Sequence, residues 1–479
     1  MRNKYAPGIA VPRPFLRTFA AGLSLLTLRC LLHVLAAHHT YANVLLWNLP
    51  LKAPSSSSLG RFIRLSTTAT RIAGGVLGQR LLHGRAGIDW QPVGDLLTEV
   101  LGQMKGPVLK LGQMASQWQG VLPAPIISAL ASLQNRVPAM AFSDIERQLK
   151  AVYGPDLSAY FQHIEPDPFA AASLGQVHRA VSREGQALVL KIQYSGIAAI
   201  CAADLKQLRR LLPLGRLFRA PAAQLEAVHA QLTRSVAEEL DYAAEMQRLQ
   251  RYHAHFKGCD RVLVPEPLPA LCRPGVLALS YLPGLPFAQV ADASPALREQ
   301  LAQTLVHWLC RQAFELGELH ADPHAGNFAY TPQGQLIAYD FGCMQSMGAD
   351  LLTAYMQCYR ALQAGSAEQL EGGFQALGLR QPGTPVPWAL YRQLQGLLGP
   401  LIQPAAQWDF AASGLHAQVQ TLVPDVLARL GSLQPAPATI LVNRVLEGHY
   451  WSFTRLGVCL PLAALLEPHM QAWQAGAAQ

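Results

Sequence analysis

The stretch His320–Gly342, HADPHAGNFAYTPQGQLIAYDFG, decides how the rest of the chain is read. It sets His320, Asp322 and Asn327 in the spacing H-x-D-x-x-x-x-N and crosses a hairpin-like link around Gly334. An apolar run then ends on Asp340-Phe341-Gly342. Two carboxylates and one carboxamide are hard oxygen donors, the kind that magnesium requires. Either motif alone is short enough to arise by chance. The strand pattern LIAYDFG, following the first motif in this order, makes the two informative together. His320 and His324, four residues apart, would suggest zinc only if both stood on one helical face. Pro323 and Gly326 argue against a helix there.

In the protein-kinase template a catalytic-loop Asp faces the acceptor, while the Asn five residues later and the Asp of DFG hold magnesium against the ATP phosphates. The upstream parts fall in the order that template needs. After a break from Gly154 to Pro168, strands are expected over Gln176–Val181 and Ala187–Gln193, joined by a turn at Glu184-Gly185. The loop Ala170-Ala171-Ala172-Ser173-Leu174-Gly175 precedes them, and Lys191 ends the apolar run of the second strand. This is where a kinase places its phosphate loop and phosphate-pairing Lys, although on its own Lys191 is an ordinary strand residue. The loop carries Ala where kinases use Gly, so its backbone approaches phosphate less freely. Gln224 to Phe256 reads as one long helix bearing Glu238, Glu239, Asp241 and Glu245. Such a cluster is usually a solvated face, but a carboxylate must pair with Lys191 and this acidic helix stands in the right order. Glu239 is the first choice and Glu245 the second, with Glu238 and Asp241 near neighbours in the same network. Val276 to Leu282 reads as a strand leading into a hinge at Pro283-Gly284. Ala296 to Leu319 is expected as a helix delivering the chain to His320, with helices again after Gly342, broken between Gln381 and Pro387.

Of the 479 residues 51% are hydrophobic and 14% charged, which excludes a disordered chain and suits a helix-rich protein with an apolar surface or membrane contact. The eight cysteines form no CxxC pair, which favours free thiols in a reducing compartment. Charge is unevenly placed. The first 88 residues hold eleven Arg and Lys and no Asp or Glu, so of a formal +8 the remainder carries −3. No finger, RRM or homeodomain pattern accompanies this basic arm, and no nucleic-acid partner is expected. Phe15 to Ala37 is the most apolar stretch, but Arg17, Arg29 and His33 interrupt it. A central Arg is costly in hydrocarbon, so an interfacial helix or marginal anchor at a membrane surface is preferred, with a mitochondrial transit peptide as the alternative. Pro50 to Gly60, with Ser55 to Ser58, reads as a linker. Helical patterns follow over Arg61 to Leu82, with Gly74 and Gly78 spaced for close packing, and over Gly94 to Gln117, which holds Lys110-Leu111-Gly112-Gln113.

Together these residues resemble the UbiB/AarF family of atypical protein-kinase-like proteins, from about Arg61 to Leu460. The specific elements are KLGQ at Lys110–Gln113, AAASLGQVHRA at Ala170–Ala180, VLKIQ at Val189–Gln193, ELDY at Glu239–Tyr242, HADPHAGN at His320–Asn327 and DFG at Asp340–Gly342. The resemblance implies a helix-rich α+β fold, protein-kinase-like and two-lobed, with N-terminal helices draped over the active site. The implied divisions are an arm and linker (1–60), a helical extension with KxGQ (61–153), a small lobe with inserted helices (154–283) and a large lobe (284–479). ATP and Mg²⁺ are the implied cofactors. Lys191 and Glu239 with Asp322 would be catalytic, and Asn327 and Asp340 would hold the metal. Ala170, Ala171, Ala172, Ser173, Gly175 and Lys191 would meet the nucleotide, and Lys110 and Gln113 would occlude the pocket against a protein substrate. The family is tied to coenzyme Q production and lipid handling at membranes, with ATPase activity better supported than protein-kinase activity. The acceptor is expected among lipids or quinone precursors, the location in the bacterial cytoplasm at the inner membrane or else in a mitochondrion, and a homodimer is admitted. A nucleotide-binding scaffold without turnover is the rival reading, favoured by the Ala-rich loop. A small-molecule phosphotransferase shares HxDxxxxN but has no reason to carry KLGQ. Asn135, Ala325 and Arg248 depart from the family's usual Asp, Pro and Asn.

Overall fold

The computed structural model describes residues 89–92, 94, 95, 98, 125, 126, 128, 129, 140–172, 174–211, 222–429, 431–434 and 436–477. The arm, the linker, the helix expected at Arg61 to Leu82 and most of the segment from Gly94 to Gln117 lie outside these. So do Lys110, Gln113, Asn135 and Ser173.

Helix α1 (Phe142–Tyr153) leads into an antiparallel five-stranded sheet of β1 (Phe161–Ile164), β2 (Ala170–Ala172), β3 (Gly175–Ser182), β4 (Ala187–Gln193) and β6 (Val276–Ser280), in the order β1-β3-β4-β6 with β2 also on β3. Side chains alternate across a strand, and β4 uses both faces. Leu188, Leu190 and Ile192 pack with Ile145 and Leu149 of α1 in one core. Val189 and Lys191 point to the opposite side, where Val177 and Leu277 flank Lys191 in register. The Ala-rich segment, expected as a loop, is the strand β2, with Ala170 opposite Val177 and Ala172 opposite Gly175. Gly175 is there because β3 crowds β4: a Cβ would stand 2.1 Å from the Ile192 carbonyl oxygen.

Between β4 and β6 the chain forms α2 (Ile197–Leu211), α3 (Ala222–Leu240) and α4 (Tyr242–Phe256), with the short strand β5 (Val262–Leu263) after them. The single helix expected over Gln224 to Phe256 is therefore two. Asp241 leaves helical geometry and its carboxylate accepts from the Ala244 amide at 2.9 Å, capping α4.

The second half opens with β7 (Leu285–Pro286) and α5 (Pro295–Cys310), which widens into a π-turn over Arg311–Leu316 and stops at Gly317 in the left-handed region. The helix expected to run to Leu319 thus ends earlier, by a glycine cap, and Glu318–His320 is instead β8. Strands β9 (Phe328–Tyr330) and β10 (Leu336–Ala338) form the hairpin around Gly334 (φ +84°), joined by β7 and, in parallel, by β5. Strand β11 (Met344–Ser346) pairs with β8. The remainder is mostly helical: α6 (Ala349–Ala364), α7 (Ala367–Ala376), α8 (Trp388–Leu398), α9 (Leu415–Gln420), α10 (Val423–Ala428), α11 (Pro437–Leu456) and α12 (Leu462–Ala477). A small pair, β12 (Trp408–Asp409) with β13 (Cys459–Leu460), ties this region together. Tyr252, Phe256, Trp308 and Phe341 share the largest core, which links α4 to α5 and the DFG segment. This is the helix-rich α+β arrangement of a protein kinase.

Candidate functional site

Lys191 is 6% exposed and Glu245, one turn into α4, is 1% exposed. Lys191 Nζ donates to both oxygens of Glu245, at 2.8 and 3.0 Å, and to Asp340 Oδ2 at 3.0 Å. Burial alone would lower the ammonium's pKa, but the carboxylates of Asp340 and Glu245 hold it well above its ordinary value, so it stays charged. Burial pushes the Glu245 carboxyl up to about 7, with Lys191 pulling against it. The expected first choice, Glu239, stands near this pair but does not make it. It belongs to α3, before the break at Asp241, and that break turns Glu245 rather than Glu239 onto the strand lysine. Glu239 is itself buried, and a Cβ on Gly342 would lie 4.0 Å from its Oε2. Asp241, placed by sequence in the same network, caps α4 instead.

The DFG turn is held at each residue. Asp340 Oδ1 accepts from the Gly342 amide at 2.8 Å, and a side chain at Gly342 would crowd that oxygen. Phe341 is fully buried against Tyr252, Trp308 and His320. His320 Nε2 donates to the Asp340 carbonyl, which fixes the proton on that nitrogen. Burial lowers the His320 pKa, so the ring is neutral. His320 lies in β8 and His324 caps a 3-10 turn, so the two imidazoles do not share a helical face. Asn327 Nδ2 donates to Asp322 Oδ2 at 2.9 Å and to the Asp322 carbonyl at 3.0 Å. That pattern directs the amide nitrogen to Asp322 and leaves the amide oxygen as the donor toward a cation. With the partly open Asp340 carboxylate, whose side chain is 28% exposed, these oxygens suit magnesium, which usually takes one or two protein carboxylates and completes its shell from phosphates and water.

The fold thus brings Lys191, Asp322, Asn327 and Asp340 into one region, with Glu245 in the place expected for Glu239. Ala170 and Gly175 lie on the β2–β3 hairpin next to it. Sequence reasoning missed three supports. Gln312, in the π-turn, accepts from the His320 amide at 2.6 Å and donates to the Trp308 carbonyl at 3.0 Å. Arg248, noted only as a departure, donates to the carbonyls of Phe341 and Gly342 at 3.4 and 3.3 Å. Arg444, from α11, donates to Asp322 Oδ1 at 2.5 Å. No local pattern marks Arg444, which follows its partner by 122 residues.

A profile of the ABC1 atypical kinase-like domain matches residues 132–371. The chain is 26% identical to the Caenorhabditis elegans atypical kinase coq-8, mitochondrial, over 74% of this chain and 48% of that one. It is 26% identical to the rat atypical kinase COQ8B, mitochondrial, over 75% of this chain and 68% of that one. An uncharacterised Synechocystis protein is 32% identical over 58% of this chain and 50% of its own length. The chain spans about half the length of several of the curated relatives that it matches. Among solved structures, the Mycobacterium tuberculosis protein Rv3197 in complex with erythromycin aligns with a TM-score of 0.58 and 24% identity, covering 78% of this chain and 95% of that one. That likeness bears on the fold.

Proposed function

The chain belongs to the ABC1 atypical kinase-like family, and from that premise we propose that it binds Mg-ATP and transfers or hydrolyses the γ-phosphate, supporting coenzyme Q production or lipid handling at a membrane. The observation that carries this reading is Lys191, bound to both oxygens of Glu245 and to Asp340 in a closed corner. In this reading Lys191 contacts the α/β-phosphates, Glu245 orients it, and Asn327 and Asp340 hold the metal. When bound, magnesium would neutralise phosphate charge. Asp322 orients the attacking group, and the β2–β3 hairpin covers the phosphates through Ala170, Ala171, Ala172 and Gly175, with Ser173, outside the described residues, assigned to the same role. Lys110 and Gln113 are assigned to the entrance. The acceptor class proposed here, a lipid or quinone precursor, is supported by the likeness to the atypical kinases coq-8 and COQ8B and by the basic apolar arm. A scaffold that binds nucleotide without turnover is the second reading, favoured by the Ala-rich β2.

Thermal unfolding with and without Mg-ATP tests the site. At about 100 times its dissociation constant a ligand adds roughly 2.7 kcal/mol to the folded state, worth several degrees at about 2 to 4 °C per kcal/mol. The expected result is a magnesium-dependent rise that Asp340→Asn removes. ATP affinity unchanged by that substitution would defeat the metal assignment. Turnover lost in Asp322→Asn, in protein free of other ATPases, separates the enzyme from the scaffold.

A further inference from the structure

One helix of the second half reaches the catalytic loop at three successive points. Arg444 Nη2 lies 2.5 Å from Asp322 Oδ1, and both side chains are 13% exposed. One turn later Gly448 lies so close to Pro323 that a Cβ would fall 2.1 Å from its Cγ. His449, buried beside it, faces the Phe328 ring with centroids 6.2 Å apart. Asp322 therefore has a donor on each oxygen: Asn327 from within its own loop on Oδ2 and Arg444 from α11 on Oδ1. A carboxylate free to turn about χ2 spends only part of its time aimed at an attacking group; one held from both sides keeps a single direction.

We infer that Arg444 is a positioning residue for the phosphoryl-transfer step. Its guanidinium fixes the direction of the Asp322 carboxylate, and α11 serves as the platform on which the catalytic loop is set. The charge-assisted bond is short and mostly closed to water, conditions under which such a bond is strong. With both oxygens already accepting, Asp322 acts by orienting the nucleophile through its remaining lone pairs. The inference rests on the proposed Mg-ATP reading of the site, since it assigns Arg444 a part in that reaction.

The test uses the full chain and the substitutions Arg444→Met, Arg444→Lys, Asp322→Asn and the pair Arg444→Met with Asp322→Asn. Arg455→Met, at an exposed position on the same helix, is the control. Positioning predicts that Arg444→Met lowers kcat for ATP about 10- to 100-fold while KM stays within about threefold, because ground-state binding does not use Asp322. Arg444→Lys should recover part of the loss and Arg455→Met should change nothing. The double variant should be no slower than Asp322→Asn alone, since the two act as one unit. An unchanged kcat in Arg444→Met, or losses that multiply in the double variant, would overturn the assignment. Amide hydrogen exchange over residues 319–330 of the nucleotide-free protein gives a reading independent of turnover. Arg444→Met should raise it at least about tenfold relative to wild type, and equal exchange would overturn the clamp. If wild type neither binds nor turns over Mg-ATP, the proposed function fails by itself and the exchange measurement still decides whether Arg444 holds the loop.

Discussion

At the scale of single residues, two buried groups titrate in opposite senses. Glu245 has its carboxyl pushed up to about 7 from 4.5 by burial. The folded state then binds more protons than the unfolded one between those values, so this group's contribution to stability is full below pH 4.5 and lost as pH rises through 7. Burial, with neighbouring His320, depresses His449 to about 3 from 6.5. Here the unfolded state binds more protons, so stability is present above pH 6.5 and lost as pH falls toward 3. Each group changes stability by at most roughly 1.4 kcal/mol per pH unit inside its window, and near pH 6 the two slopes partly cancel in the wild-type chain. Single substitutions separate them. Glu245→Gln should make the nucleotide-free protein gain stability relative to wild type as pH is raised from 5 to 8, while weakening Mg-ATP binding by about tenfold or more, since Lys191 loses its charged partner. His449→Leu should remove the opposing slope, so that the variant gains stability relative to wild type as pH falls from 6.5 to 4.5. Urea unfolding across pH measures both, and a constant difference from wild type would contradict either assignment. Glu239→Gln should weaken nucleotide binding less than Glu245→Gln, which is the solution counterpart of the observed ion pair.

At the scale of elements, Gly448 poses a contest between two known effects. Replacing a helix-interior Gly by Ala ordinarily gains about 1 kcal/mol of helix propensity. Here the new Cβ would meet Pro323 at 2.1 Å, and overpacking of that kind costs typically 1–3 kcal/mol. Clash should win: Gly448→Ala is expected to lower the melting temperature, and to lower turnover more than the stability loss accounts for, because the displaced residue follows Asp322 directly. A raised melting temperature with normal turnover would show that α11 does not set the loop. This contact also marks where sequence reading stops. Lys191, Asn327 and Asp340 were legible because each motif is local: a strand alternation, a five-residue spacing, an apolar run ending in DFG. Of the two candidate partners of Lys191, Glu239 is ranked ahead of the observed Glu245 because a 33-residue helical pattern conceals the break at Asp241, though an Asp ahead of Tyr-Ala-Ala-Glu is a capping signal. The end of α5 was misplaced for a similar reason, since Gly317 caps a π-turn whose apolar pattern continues past it. Arg444 and Gly448 carry no local signature, because their partners lie more than a hundred residues away and only the packing of α11 brings them together.

At the scale of the whole molecule, charge and hydropathy divide the chain into a basic front and a mildly acidic body. Among the described residues no helix is long and apolar enough to cross a membrane; membrane contact is proposed for the first 60 residues on their charge and hydropathy. Arg13, Arg17 and Arg29 lie before or within the apolar stretch Phe15 to Ala37. Basic residues near an anionic leaflet contribute about 1 kcal/mol each and lose that contribution beyond a screening length of about 8 Å at physiological salt, whereas the apolar face is indifferent to salt. An interfacial helix should therefore bind through two separable parts. Flotation with anionic vesicles should capture the full chain and leave a chain beginning at Gly60 in the dense fraction. Replacing Arg13, Arg17 and Arg29 with Gln should cut capture strongly at low salt and little at high salt. Neutral vesicles should capture the full chain more weakly and with no salt dependence. Equal flotation of the full and shortened chains would place membrane contact in the folded body instead, and the arm would then have to be explained as an address.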